Sequence, residues 1–214
     1  MSTTSRPGAG RGRRGSDTRR RIEQAAARLF GEDGYTGTSI QAVADAAGVH
    51  AQTIYQAYGT KASLLAAVGA RLVAGEDDPA SHPSQRPWAR RIQAEPEPAR
   101  KLRLYVQHIA AVTPRVIALI DMLRATAPAE PDAAAFLDQI EQGRHLGPLN
   151  LFAPLAEQGQ LREGLTLAAA SDITYALVSP DTFRALALQR GWTWKRAEQW
   201  LTDCLTHALL PPNP

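Results

Sequence analysis

Cysteine is nearly missing: Cys204 is the only one in 214 residues. An internal disulfide framework is thereby excluded, and a reducing, cytoplasmic setting is expected. Aromatic residues make up 6% of the chain, and β-branched runs are scarce beside abundant Ala, Leu and Arg. That balance favours helix over sheet, so the expected fold class is all-α. No apolar stretch reaches the roughly 18 residues of a membrane span, and no membrane partner is expected. The basic N-terminus is not followed by an apolar segment, which argues against a secretory signal. Catalytic signatures are missing too. No P-loop, nucleophile elbow or paired carboxylates stand out, and His50, His82, His108, His145 and His207 are scattered without metal-ligand spacing. Gly10 to Gly15 spells GxGxxG, but no strand precedes it, so it reads as spacer. Neither an enzyme, a cofactor nor a metal is expected.

Charge is unevenly spread. Residues 1–22 carry seven Arg against Asp17, a net +6, while the remainder carries 17 basic and 20 acidic side chains, a net −3. A positive end on a mildly acidic body suits an anionic partner at that end. Nucleic acid and an acidic membrane surface both qualify, and a solubilising tail is the plain alternative. Proline is absent between Pro7 and Pro79 and frequent afterwards. The first ~70 residues thus suit uninterrupted short helices, and the rest is punctuated. Residues 1–16 have almost nothing to bury and read as a disordered basic arm. Residues 17–72 read as a first domain, and 73–214 as a second.

Within the first domain, Ser16 or Asp17 caps a helix carrying Ile22, Ala26, Leu29 and Phe30 on one face, ended by Gly31 and Gly34. Thr38-Ser39-Ile40-Gln41 has the form of a capping box opening a second helix. Ala47-Gly48-Val49 makes a tight turn, and a third short helix runs from about His50 to Tyr58. Thr60 caps a fourth helix with the stripe Leu64, Leu65, Val68 and Leu72. Two short helices joined through a Gly turn describe a helix-turn-helix. Val49, Ile54 and Tyr58 pack inward in this reading, leaving His50, Ala51, Gln52, Thr53, Tyr55 and Gln56 outside. Gln52 suits a bidentate bond to adenine and Ala51 a thymine methyl; Thr38, Thr53, Tyr55 and Lys61 suit phosphates. A helical hairpin that only packs fits the same spacing.

Further on, residues 76–98 read as a long connection with at most a short helix, followed by helices at about 97–112, 114–126 and 131–157, the last broken or kinked by Pro148 and Pro154. Thr166 opens a helix to about Val178, Ser179-Pro180-Asp181 caps another, and Thr193 opens the last.

The run Gly34-Tyr35, Thr38-Ser39-Ile40, Val43-Ala44, Ala47-Gly48-Val49, Thr53-Ile54-Tyr55, Tyr58, Lys61 and Leu64 resembles the N-terminal domain of the tetracycline-repressor (TetR) family of bacterial transcriptional regulators. The likeness covers residues 17–70; Asp172–Leu210 resembles the family's C-terminal regions less specifically. It implies an all-α homodimer with an N-terminal DNA-binding domain and a larger ligand-binding and dimerisation domain. Effector binding by such proteins usually releases a palindromic operator in double-stranded DNA. The resemblance places Thr38, Thr53, Tyr55 and Lys61 at phosphates, Ala51 and Gln52 at bases, and an arm with Arg13 and Arg14 near the minor groove or backbone. Ser39, His50 and Gln56 join this DNA-binding set. His50 stands where Ser or Thr is usual, and Ala57 where a His often contacts phosphate.

Family pockets fall among the middle helices. Candidates here are Tyr105, His108, Ile109, Val112, Met122, Leu123, Phe136, Gln139, Ile140 and Tyr175, with His108 and Gln139 as polar anchors and Trp88 at the mouth. Each also suits plain core. A dimer interface is expected from Ile173, Ala176 and Leu177 with Ala197, Leu201, Cys204, Leu205 and Ala208. The resulting expectation is a ligand-responsive homodimeric repressor of unknown effector. The alternatives are a helical protein-interaction module, or a family member that activates or senses no ligand.

Overall fold

The structure, a computed structural model, describes residues 9–74 and 83–212, with side chains from 15 to 74 and from 84 to 212. Among them there are helices and no strand. Helix α1 (Ala9–Gly37) starts seven residues ahead of the expected Ser16, so the basic segment from Ala9 onward is helical. The rest of the expected arm, and the side chains of Arg13 and Arg14, lie outside the described residues. Gly31 does not interrupt α1; Gly34 does, at φ 75° and ψ 169°, where only glycine is comfortable.

Helix α2 (Ile40–Ala47) follows, capped by Ser39, whose hydroxyl accepts from the Ala42 amide at 3.0 Å. Thr38 is not the cap. Its hydroxyl donates back to the carbonyls of Leu29 and Gly34 at 3.1 and 2.8 Å, sealing the end of α1. Gly48, at φ 63° and ψ 46°, makes the left-handed turn into α3 (Ala51–Tyr58). The Arg21 guanidinium donates to the carbonyls of Ala47 and Gly48, satisfying the end of α2 from a neighbouring helix. Helix α4 (Lys61–Ala74) is capped by Thr60, which accepts from the Ser63 amide at 3.0 Å.

Ile22, Ala26, Phe30, Val43, Ala44, Ile54, Leu64, Leu65 and Val68 fill the core of this head. An eight-residue helix such as α3 is marginal alone, so burial of Ile54 against these neighbours holds it. The same core continues into the second half of the chain through Leu119, Leu123 and Ala133.

Helix α5 (Pro87–Ala94) leads to α6 (Pro98–Thr126) and α7 (Pro131–Glu157), each one long helix. No break occurs at Pro114, Pro148 or Pro154. Pro114 points outward, and the buried residues on both sides of it, Ala110, Val112, Val116 and Ile117, keep α6 in register. Thr113 Oγ1 meanwhile donates to the Ile109 carbonyl at 2.8 Å. Helix α6 is long and apolar enough to cross a membrane, its best window averaging a hydropathy of 1.3. Its apolar surface is instead spent on packing against α1, α4, α7 and the last helix, α10 (Trp194–Leu209).

Helix α8 (Leu167–Leu177) is capped by Thr166, and α9 (Pro180–Phe183) by Ser179, with Pro180 at its first position. A π-helical turn, Arg184–Gln189, continues α9, and Thr193 caps α10. A second core joins Leu102, Val106, Phe152, Ala170, Phe183, Ala197, Leu201 and Leu205. Three residues expected at a dimer interface are in it: Ala197, Leu201 and Leu205 are fully buried within the chain. Helix α10 has one apolar stripe and uses it for its own core. Ala176 is exposed, and Ile173, Leu177, Cys204 and Ala208 are half-buried.

Candidate nucleic-acid interface and effector cavity

The recognition candidate α3 is anchored from below and open above. Tyr58, at its end, donates its hydroxyl to Glu23 on α1 at 3.1 Å, and Arg71 on α4 donates to the other oxygen of Glu23 at 2.9 Å. Glu23 is 6% exposed, so one buried carboxylate pins three helices together. Burial, then the Glu23 charge, pushes the Tyr58 hydroxyl far above its usual range, so it stays a donor. Glu23 carried no sequence motif; its partners are 35 and 48 positions away.

On the opposite face Gln52, Tyr55 and Gln56 are exposed, Tyr55 by 50%, while Ala51 and Thr53 are half-buried. His50 is the exposed N-cap residue of α3 and makes no side-chain cap bond, leaving its imidazole to the surface. Ser39 is exposed at the start of α2. Thr38 departs from the expectation. At 2% exposure, with its hydroxyl committed to two carbonyls, its side chain does not reach the surface. Lys61 is half-buried, its ammonium 4.2 Å from the centre of the Tyr35 ring. Burial lowers its pKa, and Glu130 partly offsets the effect.

Between head and C-terminal helices lies a cavity of about 540 Å³. Tyr105, His108, Ile109 and Val112 line it from α6, Phe136, Gln139 and Ile140 from α7, and Tyr175 from α8. Met122 and Leu123 do not: both face the head and pack into its core. A further wall, not among the expected pocket residues, is made by Ala66, Gly69, Ala70 and Val73 of α4. These recur at helical spacing, and that stripe of small residues was a legible sign of close approach. Gly69 is the extreme case: a Cβ there would fall 2.4 Å from Phe136 Cζ. Arg86 and Trp88 close another side, the Trp88 ring stacked on His108 with centroids 3.7 Å apart.

The polar groups of the cavity differ in their commitments. Tyr175 donates its hydroxyl to Glu141 at 2.7 Å, and Arg144 is held by the same carboxylate and by the Tyr175 carbonyl. Glu141 also lies 3.8 Å from Arg124, which grips Asp181 on α9 through two bonds of 2.7 and 2.8 Å. Tyr105 and His108 make no hydrogen bond to any described residue. Burial, followed by the charges of Arg115 and Arg86, pushes His108 down to about 4, so its imidazole is neutral at physiological pH. Burial likewise raises the Tyr105 hydroxyl, which stays protonated.

Residues 22–68 match the family model of bacterial regulatory proteins of the tetR family. No curated protein matches the chain. Solved structures of similar fold include NalD, the secondary repressor of the MexAB-OprM multidrug efflux pump in Pseudomonas aeruginosa. It is 22% identical, with a TM-score of 0.69, covering 94% of this chain and 99% of that one. The complex of SmeT with triclosan is 19% identical at a TM-score of 0.71, covering 92% and 93%. The regulator FadR from Bacillus subtilis, in complex with stearoyl-CoA, is 16% identical at 0.68, covering 87% and 96%. The helix-turn-helix head, over residues 22–68, thus carries the DNA-binding domain of the tetR family of bacterial regulatory proteins, and the all-α fold behind it is the one those solved regulators share.

Proposed function

We propose that the protein is a homodimeric repressor that leaves its operator when a small molecule fills the cavity. The observation that carries this reading is the shared α4: its Leu64, Leu65 and Val68 belong to the head core, while Ala66, Gly69, Ala70 and Val73 form a cavity wall. A ligand that prefers one position of α4 therefore shifts the head's position, by an amount bounded by its differential affinity for the two states. That NalD is a repressor, and that FadR and SmeT are seen with bound small molecules, supports it.

In this assignment Gln52 and Ala51 meet base edges in the major groove, with His50 and Gln56 flanking them. Tyr55, Thr53, Ser39 and Lys61 contact phosphates, and Arg13 and Arg14 extend the footprint. Thr38 serves from beneath, holding the end of α1. The dimer forms through the outer faces of α8 and α10, where Ala176, Cys204, Ala208 and the 42% exposed Trp200 remain at the surface. Two-fold symmetry then calls for a palindromic operator with half-sites about 34–36 Å apart.

Gel-shift titration against genomic fragments, with random DNA as competitor, tests the reading. One or a few fragments should bind far more tightly than the rest at moderate salt, and metabolite screening should find a molecule that releases them. Uniform weak binding to every fragment would instead favour a helical interaction module.

A further inference from the structure

The cavity walls are unbalanced in charge. Two arginines, Arg86 and Arg144, are among the described lining residues, and none of those described residues is a carboxylate. Arg144 is tied to Glu141, which sits behind it on α7, and Arg86, 4% exposed, lies close enough for its positive charge to be felt at His108. Arg115, on the same helix as His108, adds to that field. Tyr105 and His108 stand three residues apart on α6 and so share one face, directed at the cavity they both line. One is a protonated phenol and the other a neutral imidazole, and neither is hydrogen-bonded to a described residue. Both side chains are half-buried and line a mainly apolar chamber without a hydrogen-bond partner among the described residues, so an occupant of the cavity can supply one. The Trp88 ring, stacked on the imidazole, holds that imidazole in place. The remaining lining is mainly Ala, Val, Ile, Leu and Phe, which offers an occupant apolar contact and little else.

We propose that the cavity takes a mostly apolar molecule bearing one weakly acidic oxygen, a carboxylic acid or phenol, whose oxygen seats between Tyr105 and His108. The proposal rests on the cavity being the effector site, and it specifies the chemistry. The Tyr105 hydroxyl donates to that oxygen. An anion beside His108 opposes the burial that, ahead of the Arg115 and Arg86 charges, keeps the imidazole neutral, so the ring takes a proton from solvent as the ligand binds and becomes its counter-ion. A cation is disfavoured there: it meets the positive charges of Arg115 and Arg86 felt at His108, and no carboxylate among the described lining residues.

Decanoate, 2-decanone and decylammonium share a chain length and differ in the head group, which makes them a discriminating set. Titration calorimetry of the full-length protein at pH 6, in buffers of different ionisation enthalpy, reads affinity and proton exchange together. Decanoate should bind about tenfold more tightly than 2-decanone and at least tenfold more tightly than decylammonium, with net uptake of a proton approaching one. His108→Gln should abolish the uptake, and Tyr105→Phe should weaken decanoate about tenfold while keeping the uptake. Melting curves identify a variant that fails to fold, and each variant is a separate check on the pair. Equal affinity for decylammonium and decanoate, no binding by any of the three, or uptake unchanged in His108→Gln would each overturn the proposal. Operator release is scored separately. Decanoate that binds as described but leaves operator affinity unchanged would sink the effector reading and leave the ligand chemistry standing.

Discussion

Phe136 presses its ring against the backbone of α4 at Gly69, so closely that a Cβ at that position would lie 2.4 and 2.8 Å from two ring carbons. One side of this contact is a cavity wall, and the other is the helix whose apolar face completes the DNA-binding head. Gly69→Ala forces the ring to swing, and the space open to it is the cavity. Overpacking costs about 1–3 kcal/mol, and the gain in helix propensity returns about 1. A modest net loss in thermal stability should accompany a clear loss of effector affinity, measured by melting and by calorimetry. Unchanged effector binding would mean that Phe136 does not transmit the state of the cavity to α4.

Glu23 supports the recognition helix from beneath. Glu23→Gln removes the charge that pairs with Arg71 and weakens the bond from Tyr58. Because Arg71 is about a third exposed, the expected cost is discounted to about 2 kcal/mol rather than the value for a fully buried pair. Urea unfolding should show that loss, and operator affinity should fall although Glu23 is buried beneath the recognition helix.

His108 makes stability depend on pH. Unfolded, its pKa is near 6.5; folded, burial holds it at about 4. Between these values the unfolded chain binds a proton that the folded chain refuses. Its destabilising effect is therefore absent above pH 6.5 and grows as pH falls toward 4, by about 3 kcal/mol across the window. His108→Gln should flatten that part of the stability curve, as followed by thermal melting from pH 7 to 4.5.

Gln52 and Tyr55 should separate reading from gripping. Gln52→Ala should cost about 1–3 kcal/mol on the operator and little on random DNA, relaxing preference at one base pair of each half-site. Tyr55→Phe should weaken operator and random DNA alike. Binding measured on both DNAs across a salt series distinguishes them, because loss of a phosphate contact leaves base preference intact.

The head was legible because its signals are local. A glycine turn between two short helices, alternating caps and an apolar stripe at helical spacing all act within a few residues. Where two residues qualified for one role, sequence was ambiguous. Thr38 and Ser39 are both good caps, and the choice fell to Ser39 because the Thr38 hydroxyl meets the carbonyls of Leu29 and Gly34. The stripe Ala197, Leu201, Leu205 looks the same whether it faces a partner or its own core; only the packing of α6 and α8 against it decides. Pro114, Pro148 and Pro154 overstated the breaks, since packing along a 27- or 29-residue helix outweighs one lost hydrogen bond. Of the nine pocket candidates other than Leu123, eight line the cavity, yet the α4 wall and Glu23 were missed because their partners lie far along the chain.

In this assignment the state of the cavity and the grip on DNA are one equilibrium. Reciprocity makes it testable in a single comparison: the affinity of a releasing effector, measured by calorimetry with and without saturating operator DNA. Operator should weaken effector binding by the same factor by which effector weakens operator binding, on the order of 5- to 150-fold. The same effector affinity in the presence and absence of operator would contradict it.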